Sequence, residues 1–210
     1  MPVRILLADD HQIVREGLRR LLEDEGFRIV AEAGDGHQAI ALASTLKPDV
    51  VVMDISMPRL NGVDACREIL QTNPRIAAAI LTMHVDESRV VAALRAGVRG
   101  YVVKTQATIE LIHAIHEVAA GGTYLSPSVC GVVVKSYLAG GEPAECPLTS
   151  RERAVLQLVA EGSTSKEIAD VLNVTPKTAG TYRERIMEKL GIHETARLVR
   201  YAIRVGMIEP

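Results

Sequence analysis

Residues 50–62 read VVVMDISMPRLNG, an apolar run followed directly by the carboxylate of Asp54. Apolar runs this short and this continuous are typical of strands in a parallel sheet that is buried on both faces. Ligands of such sheets bind beyond the carboxyl ends of the strands, where Asp54 is expected to lie. The stretch therefore predicts a buried strand with a functional carboxylate at its end.

Three other apolar runs in the first half of the chain also precede polar or charged side chains. They are Arg4–Ala8 before Asp9 and Asp10, Ala79–Leu81 before Thr82, and Tyr101–Val103 before Lys104. Because parallel strands bring their carboxyl ends to one edge of a sheet, we expect these groups to share a pocket with Asp54. Carboxylates hold Mg²⁺, and a lysine and a hydroxyl beside them suit phosphoryl chemistry.

Helical segments alternate with the apolar runs along the first 120 residues. Helices are predicted for residues 12–25, 37–47, 61–72, 87–96 and 108–120. A further run at Arg28–Ala33 supplies the fifth strand. Five strands alternating with five helices predict an α/β domain, residues 1–120, with a doubly wound five-stranded parallel sheet of flavodoxin-like type.

The alternation ends at Gly121-Gly122, and residues 121–147 are interpreted as a linker. A short helix is expected near residues 126–135. The stretch Gly140–Pro147 is predicted to be an exposed connection because it is rich in glycine and proline.

The last part of the chain, residues 148–210, is predicted to be almost entirely helical. Thr149–Glu152 and Thr164–Glu167 both match the capping box that opens a helix. Helices are predicted for residues 150–161, 165–172, 175–190 and 194–205. A short helix, a turn at Asn173-Val174 and a longer helix form a helix-turn-helix.

Charge and composition limit the class of protein. Residues 1–125 hold 13 Lys/Arg and 16 Asp/Glu, whereas residues 147–210 hold 10 and 8, which hints at an anionic partner for the second half. The three cysteines lack metal-type spacing, and the chain opens on a strand rather than a leader. No apolar run approaches the roughly 20 residues that span a bilayer, so we expect a soluble, cytoplasmic protein with no membrane partner.

Residues 1–120 resemble the receiver domain of two-component response regulators. The motifs that carry the resemblance are Leu7–His11, Met53–Gly62, Leu81-Thr82 and Lys104. The resemblance implies that Asp54 accepts a phosphoryl group from a histidine of a sensor kinase, forming an acyl phosphate. It implies that Thr82 and Lys104 bind phosphoryl oxygens and that Tyr101 is a rotamer switch.

The same resemblance implies a magnesium site. Its ligands would be Asp9, Asp10, Asp54 and the backbone carbonyl of Ser56. The chain departs from many receivers after Lys104, where Thr105 replaces a proline that follows a cis peptide bond, and the conformation of the Lys104–Thr105 bond is left open.

Residues 148–210 resemble the four-helix DNA-binding domain of the LuxR/NarL/FixJ class. The resemblance is carried by Leu148–Arg153, Val155-Leu156, Glu161-Gly162, Ser165–Ala169, Lys177-Thr178 and Ile186–Gly191. The longer helix of the helix-turn-helix is expected to lie in the major groove of double-stranded DNA. Basic and hydroxyl side chains here are the candidate contacts: Lys166, Lys177, Thr178, Thr181, Tyr182, Arg183, Arg185 and Lys189.

Departures from the family leave two features of this domain open. Gly180 and Glu184 stand where several members place DNA-contacting side chains, so no base preference is carried over. The last helix has more apolar surface than one small core requires. That surface is either a dimer contact, as the resemblance implies, or packs within its own domain.

The chain is therefore predicted to be a NarL/FixJ-type transcriptional response regulator. It would dimerise on phosphorylation and bind promoter DNA, with RNA polymerase as a further candidate partner. It is not expected to be an enzyme, except toward its own phosphorylation and dephosphorylation at Asp54.

Two alternative functions compete with this one. A phosphatase with an aspartyl nucleophile generally has a second Asp two residues later, where this chain has Ser56. A DNA binder independent of phosphorylation would use the first domain only for dimerisation, which the intact set of polar residues at the strand ends disfavours.

Overall fold

A parallel sheet forms the centre of the first half of the chain. The computed structural model describes residues 1–83, 85–104, 107–138 and 147–208, with the backbone alone for residues 107, 108 and 137. The strands are β1 (Arg4–Ala8), β2 (Arg28–Ala33), β3 (Val50–Asp54), β4 (Ala77–Thr82), β5 (Gly100–Val103) and β6 (Tyr124–Leu125). Their order is β2-β1-β3-β4-β5-β6, and all neighbouring strands are parallel.

Helices connect the strands and make up the second half. In the first half they are α1 (Gln12–Asp24), α2 (Gly36–Leu46), α3 (Gly62–Thr72), α4 (Glu87–Arg95), α5 (Ala107–Ala119) and α6 (Pro127–Leu138). In the second half they are α7 (Ser150–Ala160), α8 (Ser165–Leu172), α9 (Pro176–Leu190) and α10 (Thr195–Arg204). The chain divides into two compact units, Met1–Glu142 and Pro143–Pro210. The predicted α/β domain followed by an all-α domain is confirmed.

Register within the sheet brings the polar strand ends together. All of β3 is buried, and its last residue, Asp54, pairs with Leu81 of β4. Thr82, the residue after Leu81, pairs with Val103 of β5, which directly precedes Lys104. Because the carboxyl ends of these strands are in register, their polar residues lie at the same edge of the sheet.

The prediction of five strands is wrong by one, and the start of the predicted linker is ordered. Gly121, at φ +87°, ends α5, and the chain then turns back beside β5. The backbone N–H of Tyr124 donates to the carbonyl of Arg99 at 2.9 Å, and that of Ser126 donates to the carbonyl of Tyr101 at 2.9 Å. A two-residue strand has no periodicity to detect, which is why β6 was missed.

The helix expected near residues 126–135 is present as α6, which packs against α4. The exposed connection predicted at Gly140–Pro147 lies, up to residue 146, outside the described residues. Thr105 also lies outside them, and with it the conformation of the Lys104–Thr105 bond.

Helix caps define the second unit as predicted. Both capping boxes are formed, and the Thr175 side chain caps α9, with Pro176 at the first helical position. Asn173 takes the left-handed conformation, at φ 51°, in the turn between α8 and α9. The helix-turn-helix prediction is therefore confirmed.

Part of the apolar surface of α10 is used within its own unit. Leu198 and Ala202 are fully buried, and α10 packs against α7. The dimer contact that the family resemblance implies for this helix stays a prediction. Within the described ranges, no helix combines the length and the apolar character that crossing a membrane requires.

Candidate functional site

The side chains at the strand ends meet around a lysine. Lys104 Nζ lies 2.6 Å from Asp9 Oδ2 and 2.9 Å from Asp54 Oδ1. Asp9, Asp54 and Thr82 are all buried, whereas Lys104 is half-buried. The structure thus brings together residues that lie far apart in the sequence and that were predicted to share a pocket.

A second cluster adjoins the first through Asp9. The side chains of Asp9, Asp10 and His11 offer ligand atoms that all lie within 4.8 Å of one another. Asp54 is not part of this close group and is joined to Asp9 through Lys104 Nζ. Carboxylate oxygens are the ligands that Mg²⁺ prefers, so the donor set fits that ion.

His11 was not predicted as part of the site. Its Nδ1 atom lies 2.8 Å from Asp10 Oδ1 and 3.5 Å from Asp9 Oδ1, while the side chain is 71% exposed. Its position directly after the aspartate pair was the available signal.

The pKa values of Asp54 and Lys104 are both raised, which favours the charged form of the lysine and disfavours that of the carboxylate. Burial raises the pKa of Asp54, and the Asp9 and Asp10 carboxylates add to this, outweighing the attraction of Lys104. Burial acts to lower the pKa of Lys104, but the Asp54 and Asp9 carboxylates outweigh it and the pKa is raised. The lysine therefore stays charged, while the negative charge on Asp54 is only partly compensated.

The loop after β3 is held close to Asp54. The backbone N–H of Ser56 donates to Asp54 Oδ2 at 3.2 Å. The start of α3 approaches so closely that a Cβ atom on Gly62 would lie 1.9 Å from the Asp54 carbonyl oxygen. Only glycine fits this position, so the VVVMDISMPRLNG stretch encodes both the carboxylate and the loop packed over it.

Tyr101 lies in the interior of the first unit. The side chain is 0% exposed, and its Oη atom finds no hydrogen-bond partner within the described part of the chain. Burial raises the pKa of Tyr101, and the buried Arg89 lies close enough to oppose that shift. Arg89 Nη1 also lies 3.4 Å from Ser56 Oγ. Sequence reasoning missed Arg89 because a lone arginine in a predicted helix is usually solvated.

The predicted DNA-contacting residues divide into two groups. Five of them line one shallow cavity of about 260 Å³ on α9: Lys177, Thr178, Thr181, Tyr182 and Arg185. Lys166 is exposed on α8. Arg183 and Lys189 lie outside this cavity and have partners within the unit, Arg183 with Thr195 Oγ1 and Lys189 with Glu152 Oε2 at 2.7 Å. The hydroxyls of Thr178 and Thr181 are hydrogen-bonded within the unit as well.

Two protein-family models match the chain, one in each half. Residues 5–116 match the response regulator receiver domain. Residues 146–202 match the bacterial regulatory proteins of the luxR family.

Proteins similar over nearly the whole chain are regulators. The transcriptional regulatory protein MctR of Rhizobium johnstonii is 36% identical over 207 residues, which cover 98% of this chain and 95% of MctR. The response regulator UvrY of Escherichia coli K12 is 35% identical over 209 residues, covering 98% and 95%. A structure of RcsB from Salmonella enterica serovar Typhimurium, bound to promoter rprA in the presence of phosphomimetic BeF3⁻, has a TM-score of 0.61 and 28% identity, covering 96% of this chain and 98% of RcsB.

The fold, the strand-end cluster and the helix-turn-helix together define a two-component response regulator. More narrowly, the chain belongs to the NarL/FixJ-type response regulators, which carry a LuxR-type DNA-binding domain. Its first unit is the receiver and its second is the DNA-binding unit.

Proposed function

We propose that this response regulator is activated when a sensor histidine kinase phosphorylates Asp54. The observation that carries the proposal is Lys104 Nζ between two buried carboxylates, 2.6 Å from Asp9 and 2.9 Å from Asp54. A lysine held here reduces the repulsion between the carboxylates and is in place to pair with a phosphoryl oxygen on Asp54.

Phosphoryl transfer at this site would form an acyl phosphate. An oxygen of the Asp54 carboxylate attacks the phosphorus of a phosphohistidine, a P–O bond forms, and the P–N bond breaks with its electron pair returning to the imidazole. Lys104 pairs with one phosphoryl oxygen, and the Thr82 hydroxyl donates a hydrogen bond to another.

Magnesium would be held beside the acceptor. The proposed ligands are Asp9, Asp10, Asp54 and the backbone carbonyl of Ser56. When bound, Mg²⁺ supplies the positive charge that lets an anionic carboxylate approach an anionic phosphoryl group. The proximity of the Asp9, Asp10 and His11 ligand atoms, which all lie within 4.8 Å of one another, supports a cation beside the acceptor.

Phosphorylation would then shift a conformational equilibrium. Thr82 moves onto the phosphoryl group, and Tyr101 acts as the rotamer switch whose inward rotamer is then favoured, which either changes the face formed by α4, β5 and α5 or separates the two domains. The DNA-binding units dimerise on paired half-sites of a promoter, with α9 in the major groove and Lys166 near the backbone. We further propose a sensor kinase and promoter DNA as partners, RNA polymerase as another, and the cytoplasm as the location of this activity.

The first test is the response of the wild-type protein to an acyl-phosphate mimic. DNA affinity and oligomeric mass are measured with and without beryllofluoride and Mg²⁺. We expect tighter binding together with dimer formation. Unchanged affinity and mass would favour a DNA binder that is independent of phosphorylation.

Substitution of the acceptor tests the assignment of Asp54. Asp54→Asn should abolish stable labelling by a small acyl phosphate, because the amide is not a nucleophile for phosphorus. Asp24→Asn is the matched control, since it makes the same change at an exposed position on α1 and should label as the wild type does. Persistent labelling of Asp54→Asn would overturn the assignment.

We propose that the protein does not turn over outside substrates. Ser56 stands two residues after Asp54, where an aspartyl phosphatase has a general acid, and a serine hydroxyl does not supply that proton readily. Steady hydrolysis of small phosphate esters by the wild type would contradict this.

A further inference from the structure

A buried arginine contacts the residue that donates to the acceptor carboxylate. Arg89, in the first turn of α4, is only 8% exposed, which is uncommon for arginine. Its backbone N–H donates to the capping carboxylate of Asp86 at 3.0 Å. Its Nη1 atom lies 3.4 Å from Ser56 Oγ, so the side chain joins α4 to the loop after β3.

Ser56 links this arginine to the acceptor. The backbone N–H of Ser56 donates to Asp54 Oδ2, whereas Lys104 contacts Asp54 Oδ1. The two oxygens of the acceptor therefore have different neighbours. Lys104 serves the Oδ1 side, and a chain of contacts runs from the Oδ2 side through Ser56 to Arg89.

The charge balance gives Arg89 a role after phosphorylation. An unphosphorylated Asp54 carries one negative charge, whereas a phosphoryl group brings about 1.5 to 2. Lys104 is already shared between Asp54 and Asp9. Arg89 brings a second fixed positive charge to this region, and its burial strengthens the attraction that it exerts across the Ser56 contact.

We propose that Arg89 is a positioning residue that acts through Ser56 to hold the phosphoryl group on the Oδ2 side of Asp54. This inference rests on the proposed phosphorylation of Asp54.

The test measures beryllofluoride affinity in the full-length protein with saturating Mg²⁺. Arg89→Met keeps the length of the side chain but removes its charge, and should weaken beryllofluoride binding about tenfold, a usual effect of losing a bond to a charged group. Mg²⁺ affinity should stay at the wild-type value, which a general disruption of the pocket would not leave in place. Arg95→Met is the matched control, at an exposed position of the same helix, and should bind as the wild type does.

A double-mutant cycle tests the route through Ser56. Ser56→Ala should weaken binding, and adding Arg89→Met should weaken it little further, because residues that act through one contact are not additive. Fully additive losses would show that Arg89 does not act through Ser56. Wild-type affinity in Arg89→Met would overturn the proposal altogether.

Two further measurements cover a variant that fails to fold. Arg89→Lys keeps the charge and should recover part of the affinity. In the wild type, the Arg89 Nε–H resonance should shift on beryllofluoride addition, and an unmoved resonance would count against the proposal. If the wild type itself does not bind beryllofluoride, or Asp54→Asn binds equally well, the proposed function fails too, whereas a failure confined to Arg89 variants leaves it standing.

Discussion

Each half of the molecule buries a carboxylate beside a lysine, yet the pKa of the carboxylate is shifted in opposite directions in the two pairs. In the receiver, Lys104 Nζ lies 2.9 Å from Asp54, and the pKa of Asp54 is raised, mainly by burial. In the DNA-binding unit, Lys189 Nζ lies 2.7 Å from Glu152. Burial there is outweighed by hydrogen bonds from Lys189 and Thr149, and the pKa of Glu152 is lowered.

The number of donors explains the difference. Glu152 Oε2 accepts from the Thr149 backbone N–H at 2.8 Å and from the Thr149 hydroxyl at 3.0 Å, in addition to Lys189. Asp54 instead shares its lysine with Asp9. Glu152 therefore links the N-terminal cap of α7 to the C-terminal end of α9. Asp54 keeps an ill-compensated charge, which favours function over stability.

The largest effect that tests this contrast is expected at Glu152. Glu152→Ala removes the reciprocal bond of a capping box and a charge-assisted bond to α9, and should lower the free energy of unfolding of this unit by about 2–3 kcal/mol. Hydrogen exchange of α7 and α9 in the full-length protein measures it. The exposed Glu188→Ala should stay within about 0.5 kcal/mol of the wild type. Equal losses of stability in Glu152→Ala and Glu188→Ala would show that Glu152 has no special structural role.

Substitution of Asp54 should change the stability of its unit in the opposite direction. Asp54→Asn removes a buried charge that is repelled by Asp9 and Asp10 while leaving Lys104 paired with Asp9, and should raise receiver stability by about 1 kcal/mol. Protection of β3 against hydrogen exchange measures the gain, with Asp24→Asn as the control. A loss of stability would mean that the Lys104 pair outweighs the repulsion.

The receiver cluster was predictable because its signal is local. Each of Asp9, Asp54, Thr82 and Lys104 directly follows an apolar run, and parallel strands ending in register carry such residues to one edge. The same reasoning gives the fold, apart from β6, whose pairing depends on the return of the chain after Gly121 rather than on any pattern of its own.

The role of Lys189 was not predictable in this way. Its sequence position marks it as a cation on the predicted recognition helix, and so as a DNA contact. Its partner, Glu152, lies 37 residues away, and only the packing of α7 against α9 shows that they meet. The same holds for Arg89, which as a lone arginine on a predicted helix was expected to be solvated, because its contact with Ser56 spans 33 residues.

Lowering the pH should remove a stabilising contribution at Glu152 and a destabilising one at Asp54. The folded pKa of Glu152 lies below its ordinary 4.5, so its stabilising charge is present above pH 4.5 and is lost as the pH falls through the folded value. The folded pKa of Asp54 lies above 3.8, so its penalty is present at neutral pH and disappears as the pH falls through the raised value.

The measurement is the stability of both variants relative to the wild type between pH 7 and pH 3. The gain from Asp54→Asn should fade in a window above pH 3.8. The charge-dependent part of the loss from Glu152→Ala should fade only below pH 4.5. A gain from Asp54→Asn that persists at low pH would show that charge is not its cause.

The smallest expected effect separates the two lysines of α9. Lys177→Met should reduce the slope of log affinity against log salt by about 1, because one phosphate contact is lost. Lys189→Met should leave that slope unchanged. It should lower stability by only about 0.5 kcal/mol, because its side chain is 39% exposed and such pairs are screened. If Lys189→Met reduces the slope as much as Lys177→Met does, then Lys189 leaves Glu152 when DNA arrives. Lys189 would then exchange its carboxylate partner for a phosphate of DNA, much as Lys104 is proposed to pair with a phosphoryl oxygen. The contrast between a structural carboxylate, Glu152, and a functional one, Asp54, would no longer hold.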